Sequence, residues 1–139
     1  MTGTVKYLFD TDSISVLMRG RAPAGFIDRL SATKGMGQAI SAVTVYEVYF
    51  GAWRSPEPER FITIFETKVL PLVEVLYFDD TAARIAGRIR AERERAGRPI
   101  ALADLQIAAI ALASGSILVT GNSRHFADIP GLDSENWLE

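Results

Sequence analysis

The segment ALADLQIAAIALA, residues 101–113, constrains the fold of this chain more than any other stretch. As a helix it is apolar around nearly its whole circumference, interrupted only by Asp104 and Gln106. A helix without a polar face is buried on most sides, so the rest of the chain must supply layers to cover it. It also raises a chemical question. A carboxylate in surroundings destined for a core is costly unless it is paired or holds a cation.

Short apolar runs supply the covering layer. Residues 5–9 (VKYLF), 38–41 (QAIS), 72–78 (LVEVLYF) and 117–120 (ILVT) read as strands, and the tail SENW is expected to add an edge strand. Helices are predicted over 13–19, 24–33, 44–54, 58–69, from Asp79 or Asp80 to about Ala96, and over 101–113. Gly20, the prolines of SPEP, Gly97 and Gly115 stop them. Short apolar strands alternating with helices predict an α/β fold: a three-layer sandwich around a parallel sheet of four to five strands. With 139 residues and neither repeat nor linker, residues 1–139 are expected to form a single domain.

Composition removes whole classes of chemistry. There is no cysteine, which excludes disulfides, thiolate nucleophiles and zinc–sulfur sites. One histidine excludes any multi-histidine metal site. No apolar run approaches the roughly 20 residues of a membrane span. The opening MTGTVKYLFDT lacks the basic and apolar regions of a signal peptide, so a cytoplasmic protein with no membrane contact is expected. Fifteen basic against 17 acidic residues give a net charge of −2, which argues against coating nucleic acid by global electrostatics. A local stripe exists nonetheless, with Arg84, Arg88, Arg90, Arg93, Arg95 and Arg98 in one stretch. It reads either as a solvated helix face laced with Glu–Arg pairs or as a patch for a phosphate backbone, for which Arg84, Arg88 and Arg95 are the candidates.

Four polar positions fall at or just beyond the carboxyl ends of predicted strands or at helix starts, where ligands bind in open α/β sheets. They are Asp10, Glu47, Asp104 and Asn122. Each has a plain structural alternative. Asp10 suits a turn, Thr44-x-x-Glu47 fits a capping box, Asp104 suits a helix N-terminus, and Asn122 in TGNS suits a turn. One cause covers all four: a cluster of oxygen ligands for Mg²⁺ or Mn²⁺, activating water against a phosphodiester. That chemistry needs neither cysteine nor a second histidine.

These segments resemble the PIN-domain ribonucleases, specifically the VapC-type toxins of type II toxin–antitoxin pairs. YLFDTDSISVL is similar to the family's opening strand and first acid, ISAVTVYEVYFGA to the segment with the second, and IALADLQIAAIALASGSILVTGNSRHFADIPGL with ENW to the remainder. The resemblance implies a PIN-like sheet between helices and Mg²⁺- or Mn²⁺-dependent endonucleolytic cleavage of RNA. Asp10, Glu47 and Asp104 would be the metal ligands and Asn122 the fourth site position. It also implies a homodimer and a VapB-type antitoxin that blocks the acidic pocket. Asn122 brings no charge where the family often has aspartate, and Asp128 is a lesser candidate to supply it. Asp12, where many relatives carry asparagine, is expected to cap the first helix. Thr11 and Thr120 are candidates to orient ligands, and His125 is assigned a packing or surface role. The alternative is a catalytically weak binding module acting with its antitoxin. A phosphoacceptor domain ranks lower, since LVEVLYFDD and ILVTGNS lack its aspartate–lysine set.

Overall fold

The computed structural model describes residues 5–139, and at its centre lies a five-stranded parallel sheet in the order β3-β2-β1-β4-β5. The strands are β1 (Tyr7–Phe9), β2 (Gln38–Ser41), β3 (Glu74–Leu76), β4 (Ile117–Val119) and β5 (Ser134–Glu135). The helices are α1 (Thr11–Met18), α2 (Ala24–Ala32), α3 (Ala42–Arg54), α4 (Pro58–Ile64), α5 (Asp80–Arg95), α6 (Leu102–Ser114) and α7 (Ser123–Phe126). This is the expected α/β sandwich.

Alternation along the strands sorts the core into two layers. Leu8, Ala39 and Leu118 join one cluster with Ala82, Ala86 and Ile89 of α5 and Leu105, Ala108 and Ile110 of α6. Tyr7, Phe9, Ile40 and Val119 join the other, with Ile14 of α1, Phe26 of α2, Phe65, Val69 and Trp137. The apolar circumference of α6 is explained by its place between the sheet and α5. Strands of two to four residues make few ladder hydrogen bonds. Packing therefore dominates, at about 1.5–3 kcal/mol for each large side chain fully buried.

Three local predictions change. The periodicity over 58–69 does not give one helix: α4 ends at Ile64, Phe65–Val69 form a wide π turn, and Leu70–Leu72 a 3₁₀ turn. Pro71 has no N–H to continue the ladder, and the widened turn still buries both Phe65 and Val69. The strand expected over 72–78 shrinks to Glu74–Leu76, because β3 is an edge strand with only one neighbour. The turn expected at TGNS leads into one helical turn, α7, anchored by buried Phe126.

The sheet's register builds the site. Phe9 is level with Ile40 in β2 and with Val119 in β4. The next residues, Asp10, Ser41 and Thr120, therefore share one rim at the carboxyl end of the three central strands. From β1 the chain moves outward through β2 to β3, then returns to place β4 on the other side of β1. Such a switch in direction opens a crevice at the strand ends. Among the described residues no helix is long and apolar enough to cross a membrane.

Candidate active site

Asp10 stands at the head of this crevice, 5% exposed. Its backbone N–H donates to Val119 O at 3.0 Å, which keeps the residue extended as the last link to β4. Helix α1 starts immediately after it, and the Asp10 carboxylate caps that helix by accepting from Ser13 N at 2.8 Å. The cap is therefore Asp10, not Asp12 as the sequence suggested, because pairing with β4 fixes where extended backbone ends. Burial pushes the Asp10 carboxyl above the ordinary carboxylate range. Hydrogen bonds from Thr120 and Ser13 oppose that rise, and the charge of Asp12 adds to it.

Asp12, in the first turn of α1, is exposed and faces the rim instead. Its Oδ2 accepts from Nδ2 of Asn122 at 2.5 Å, joining α1 to the start of α7 across 110 residues of sequence. The backbone N–H of Asn122 in turn donates to Thr120 Oγ1 at 2.9 Å. Thr120 thus bonds both Asp10 and the Asn122 backbone, in line with the role expected of it.

Asp104 lies in the first turn of α6, half-buried. Burial raises its pKa first, the neighbouring His125 lowers it, and the charge of Asp12 raises it further. His125 Nδ1 is 3.5 Å from Asp104 Oδ2. The side chain is largely exposed, which agrees with the surface role assigned to that histidine, and α7 also carries it beside the Asp104 carboxylate. No local signal marks it, since only the approach of α7 to the start of α6 makes the contact.

Glu47 occupies the second turn of α3, not the first. The helix is capped by Ser41, whose Oγ accepts from Thr44 N at 3.1 Å, so the Thr44–Glu47 capping box does not form. Glu47 Oε1 instead accepts from Thr11 Oγ1 at 2.5 Å, and Thr11 also lies 3.0 Å from Thr44 Oγ1. Thr11 therefore orients a site carboxylate, as expected.

The chain thus brings Asp10, Asp12, Asp104, Asn122 and His125 to one rim and ties Glu47 to it through Thr11. Asp128 does not join them, being ion-paired with Arg98. Nor do the α5 arginines: Arg84 pairs with Asp80 and Arg88 with Glu92, both at 2.9 Å. Arg95 is exposed on the same helix. Among the described residues, no three His, Asp or Glu side chains stand close enough to enclose an ion as they lie. The donors nevertheless suit a hard cation. The site's four acids offer carboxylate oxygens, two of them are aspartates whose charged forms burial disfavours, and Mg²⁺ is commonly held by one or two carboxylates while keeping its waters.

Comparison with known proteins agrees with this geometry. The PIN domain family profile matches residues 7–132. The tRNA(fMet)-specific endonuclease VapC of Shigella flexneri is 38% identical over 133 residues, covering 96% of this chain and 98% of that protein. Ribonuclease VapC2 of Haemophilus influenzae is 34% identical over 134 residues, covering 96% and 99%. Among solved structures, the DNA-bound VapBC of Salmonella typhimurium superposes with a TM-score of 0.89 at 34% identity, over 96% of this chain and 98% of that one. With the family profile spanning nearly every element that builds the rim, the chain belongs to the PIN-domain family.

Proposed function

We propose that this protein is an endoribonuclease that depends on Mg²⁺ or Mn²⁺ and acts as the toxin of a toxin–antitoxin pair. Relatives along nearly the whole chain are named ribonucleases or a tRNA endonuclease, and its structural neighbours include VapBC complexes. The observation that carries the reading is the meeting of Asp10, Asp12 and Asp104 at the switch in strand order. There burial, and to a lesser extent the charge of Asp12, disfavours ionisation of both others. A bound cation would favour the charged forms that burial and neighbouring acids oppose.

Asp10, Glu47 and Asp104 are the residues that would hold the cation, with Asp12 adding negative charge beside them. When bound, the cation supplies charge stabilisation for the phosphodiester oxygens and lowers the pKa of an attacking water. The chain's own part is to orient: Ser13 and Thr120 fix Asp10, His125 bonds Asp104, Thr11 holds Glu47 and Asn122 holds Asp12. Helices α1, α3 and α6 all begin near this rim, and their positive ends favour anionic groups there.

A cognate VapB-type antitoxin, a homodimeric assembly and a cytoplasmic location complete the proposal. The alternative, a catalytically weak binding module, would be favoured by an acid missing from the cluster, and Asn122 is the one uncharged position among the four. Asp12 now supplies that charge at hydrogen-bond distance, so cleavage is the reading the site favours. The test is cleavage of RNA by wild type, by Asp104→Asn and by wild type in EDTA. Cleavage is expected only in the first, with circular dichroism unchanged in all. Full activity in either of the others would sink the proposal.

A further inference from the structure

Next to the carboxylates lies a cleft of about 560 Å³, formed between α1 and the paired helices α3 and α4. Thr11 and Glu47 line its end at the site, while Arg19, Arg21 and Arg60 line it as well, and Phe61 contributes to its apolar part. Three arginines against one glutamate make this cleft locally positive in a chain of net charge −2, so composition does not account for it.

The pairing of these arginines matters more than their number. Arg60 pairs with Glu57 at 3.1 Å. Arg19 and Arg21, among the described residues, take part in no ion pair and no side-chain hydrogen bond. On α5 the opposite holds: Arg84, Arg88 and Arg90 each have a carboxylate one turn away, at 2.9, 2.9 and 2.8 Å. Those guanidinium groups already have their anions. Arg19 is the C-cap of α1, where the helix dipole alone favours a cation by about 0.3–1 kcal/mol. Arg21 lies beyond the helix, gains nothing of the kind, and lines the same cleft.

We propose that this cleft is the track of the RNA strand, with Arg19 and Arg21 binding backbone phosphates beside the scissile one. The inference rests on the nuclease reading above and says where the substrate lies. A polyanion approaching three aspartates and a glutamate is repelled unless cations flank its path, and a guanidinium fork suits phosphate oxygens. The apolar part around Phe61 accepts the face of a base, as single-strand sites commonly do. Of the arginines expected from the sequence, Arg84 and Arg88 already have carboxylate partners, and neither they nor Arg95 line this cleft.

The experiment is binding of a short single-stranded RNA in EDTA, where no cleavage occurs, by wild type, Arg19→Ala/Arg21→Ala and Arg84→Ala/Arg88→Ala over a range of salt. All four arginines are exposed, so both variants should fold, which circular dichroism checks. Loss of two phosphate contacts should flatten the slope of log K against log salt by about 1.4 in the first variant and leave the second at wild type. With Mg²⁺ present, the first variant should raise KM and spare kcat, the mark of lost uniform binding. A wild-type slope in Arg19→Ala/Arg21→Ala, or the loss appearing in Arg84→Ala/Arg88→Ala, overturns the inference while cleavage by wild type leaves the nuclease reading standing. Wild type that neither binds nor cleaves RNA overturns both. Displacement of the RNA by a polyglutamate peptide at lower concentration than by unlabelled RNA would make the cleft a site for an acidic protein segment instead.

Discussion

Asp10 is at once the cap of α1 and the buried acid of the site, and the two roles respond differently to substitution. Asn caps as well as Asp, so Asp10→Asn keeps the bond from Ser13 N while removing a buried charge. Burial and the charge of Asp12 raise the folded pKa of Asp10 above its unfolded value, and Asp104 is raised in the same sense. Between the unfolded and folded values the native state binds more protons. Both groups therefore favour folding at low pH, and that contribution is lost as pH rises through the raised values. Metal-free Asp10→Asn should accordingly melt higher than wild type at pH 7, with the difference closing towards pH 4, in thermal melts run in EDTA. Its cleavage should fall by about a thousandfold, the several kcal/mol that metal charge stabilisation supplies. Asp12 and Asn122 permit a sharper test, since donor and acceptor are 2.5 Å apart. Asp12→Asn removes the charge and should weaken Mn²⁺ binding, read by calorimetry. Asn122→Asp sets two carboxylates against each other and should lower metal-free stability. The reciprocal double variant restores both bond and net charge, and should recover most of the Mn²⁺ affinity. Recovery no better than Asp12→Asn alone would show that the charge must sit on α1.

At the scale of elements, the start of α3 fixes Glu47. Ser41 and Thr44 are fully buried, and Ser41 Oγ is the partner of Thr44 N, while Thr44 Oγ1 reaches Thr11, which holds Glu47. Ser41→Ala should cost about 1–2 kcal/mol in denaturant unfolding, the usual loss for a helix cap. It should also lower cleavage, because the Thr44–Thr11–Glu47 link loses its anchor; full activity at reduced stability would detach Glu47 from that link. Much of this architecture was legible in the sequence. VKYLF, QAIS and ILVT are apolar runs too short for helices, and ALADLQIAAIALA has no polar face to expose. What local pattern does not encode is where pairing stops. DTDS offers two caps, and only the bond from Asp10 N to Val119 O selects the first. The same limit hid the cap at Ser41, which is also the last residue of β2, and the contact of His125 with Asp104. Asp10, Glu47, Asp104 and Asn122 stood out by residue type and spacing, but most of their partners come from elements distant in sequence.

For the whole molecule, the strand order places the first strand at the centre, so Asp10 is flanked only after β4 has folded against β1. Trp137, 2% exposed, then closes the layer, its ring edge-on to Tyr7, Phe9 and Phe26 at 5.2, 5.4 and 5.8 Å between centroids. The rim is therefore a property of the complete fold. Residues 10, 104 and 122 meet in the native state and are scattered in the unfolded one. A cation that binds the rim binds N and not U, and stabilises by mass action. At a hundredfold excess over Kd this amounts to about 2.7 kcal/mol, or a rise in Tm of about 10 °C for a chain of this size. Titrating Mn²⁺ into the EDTA-treated protein should thus raise Tm logarithmically with concentration. The same titration of Asp10→Asn should give a smaller rise, starting from a higher metal-free Tm, because the charge the cation would neutralise is already gone. Equal rises in the two proteins would place the stabilising ion elsewhere on the surface. A flat wild-type response, at Mn²⁺ concentrations that support cleavage, would mean that the ion enters with the RNA, held by phosphate oxygens as much as by the aspartates.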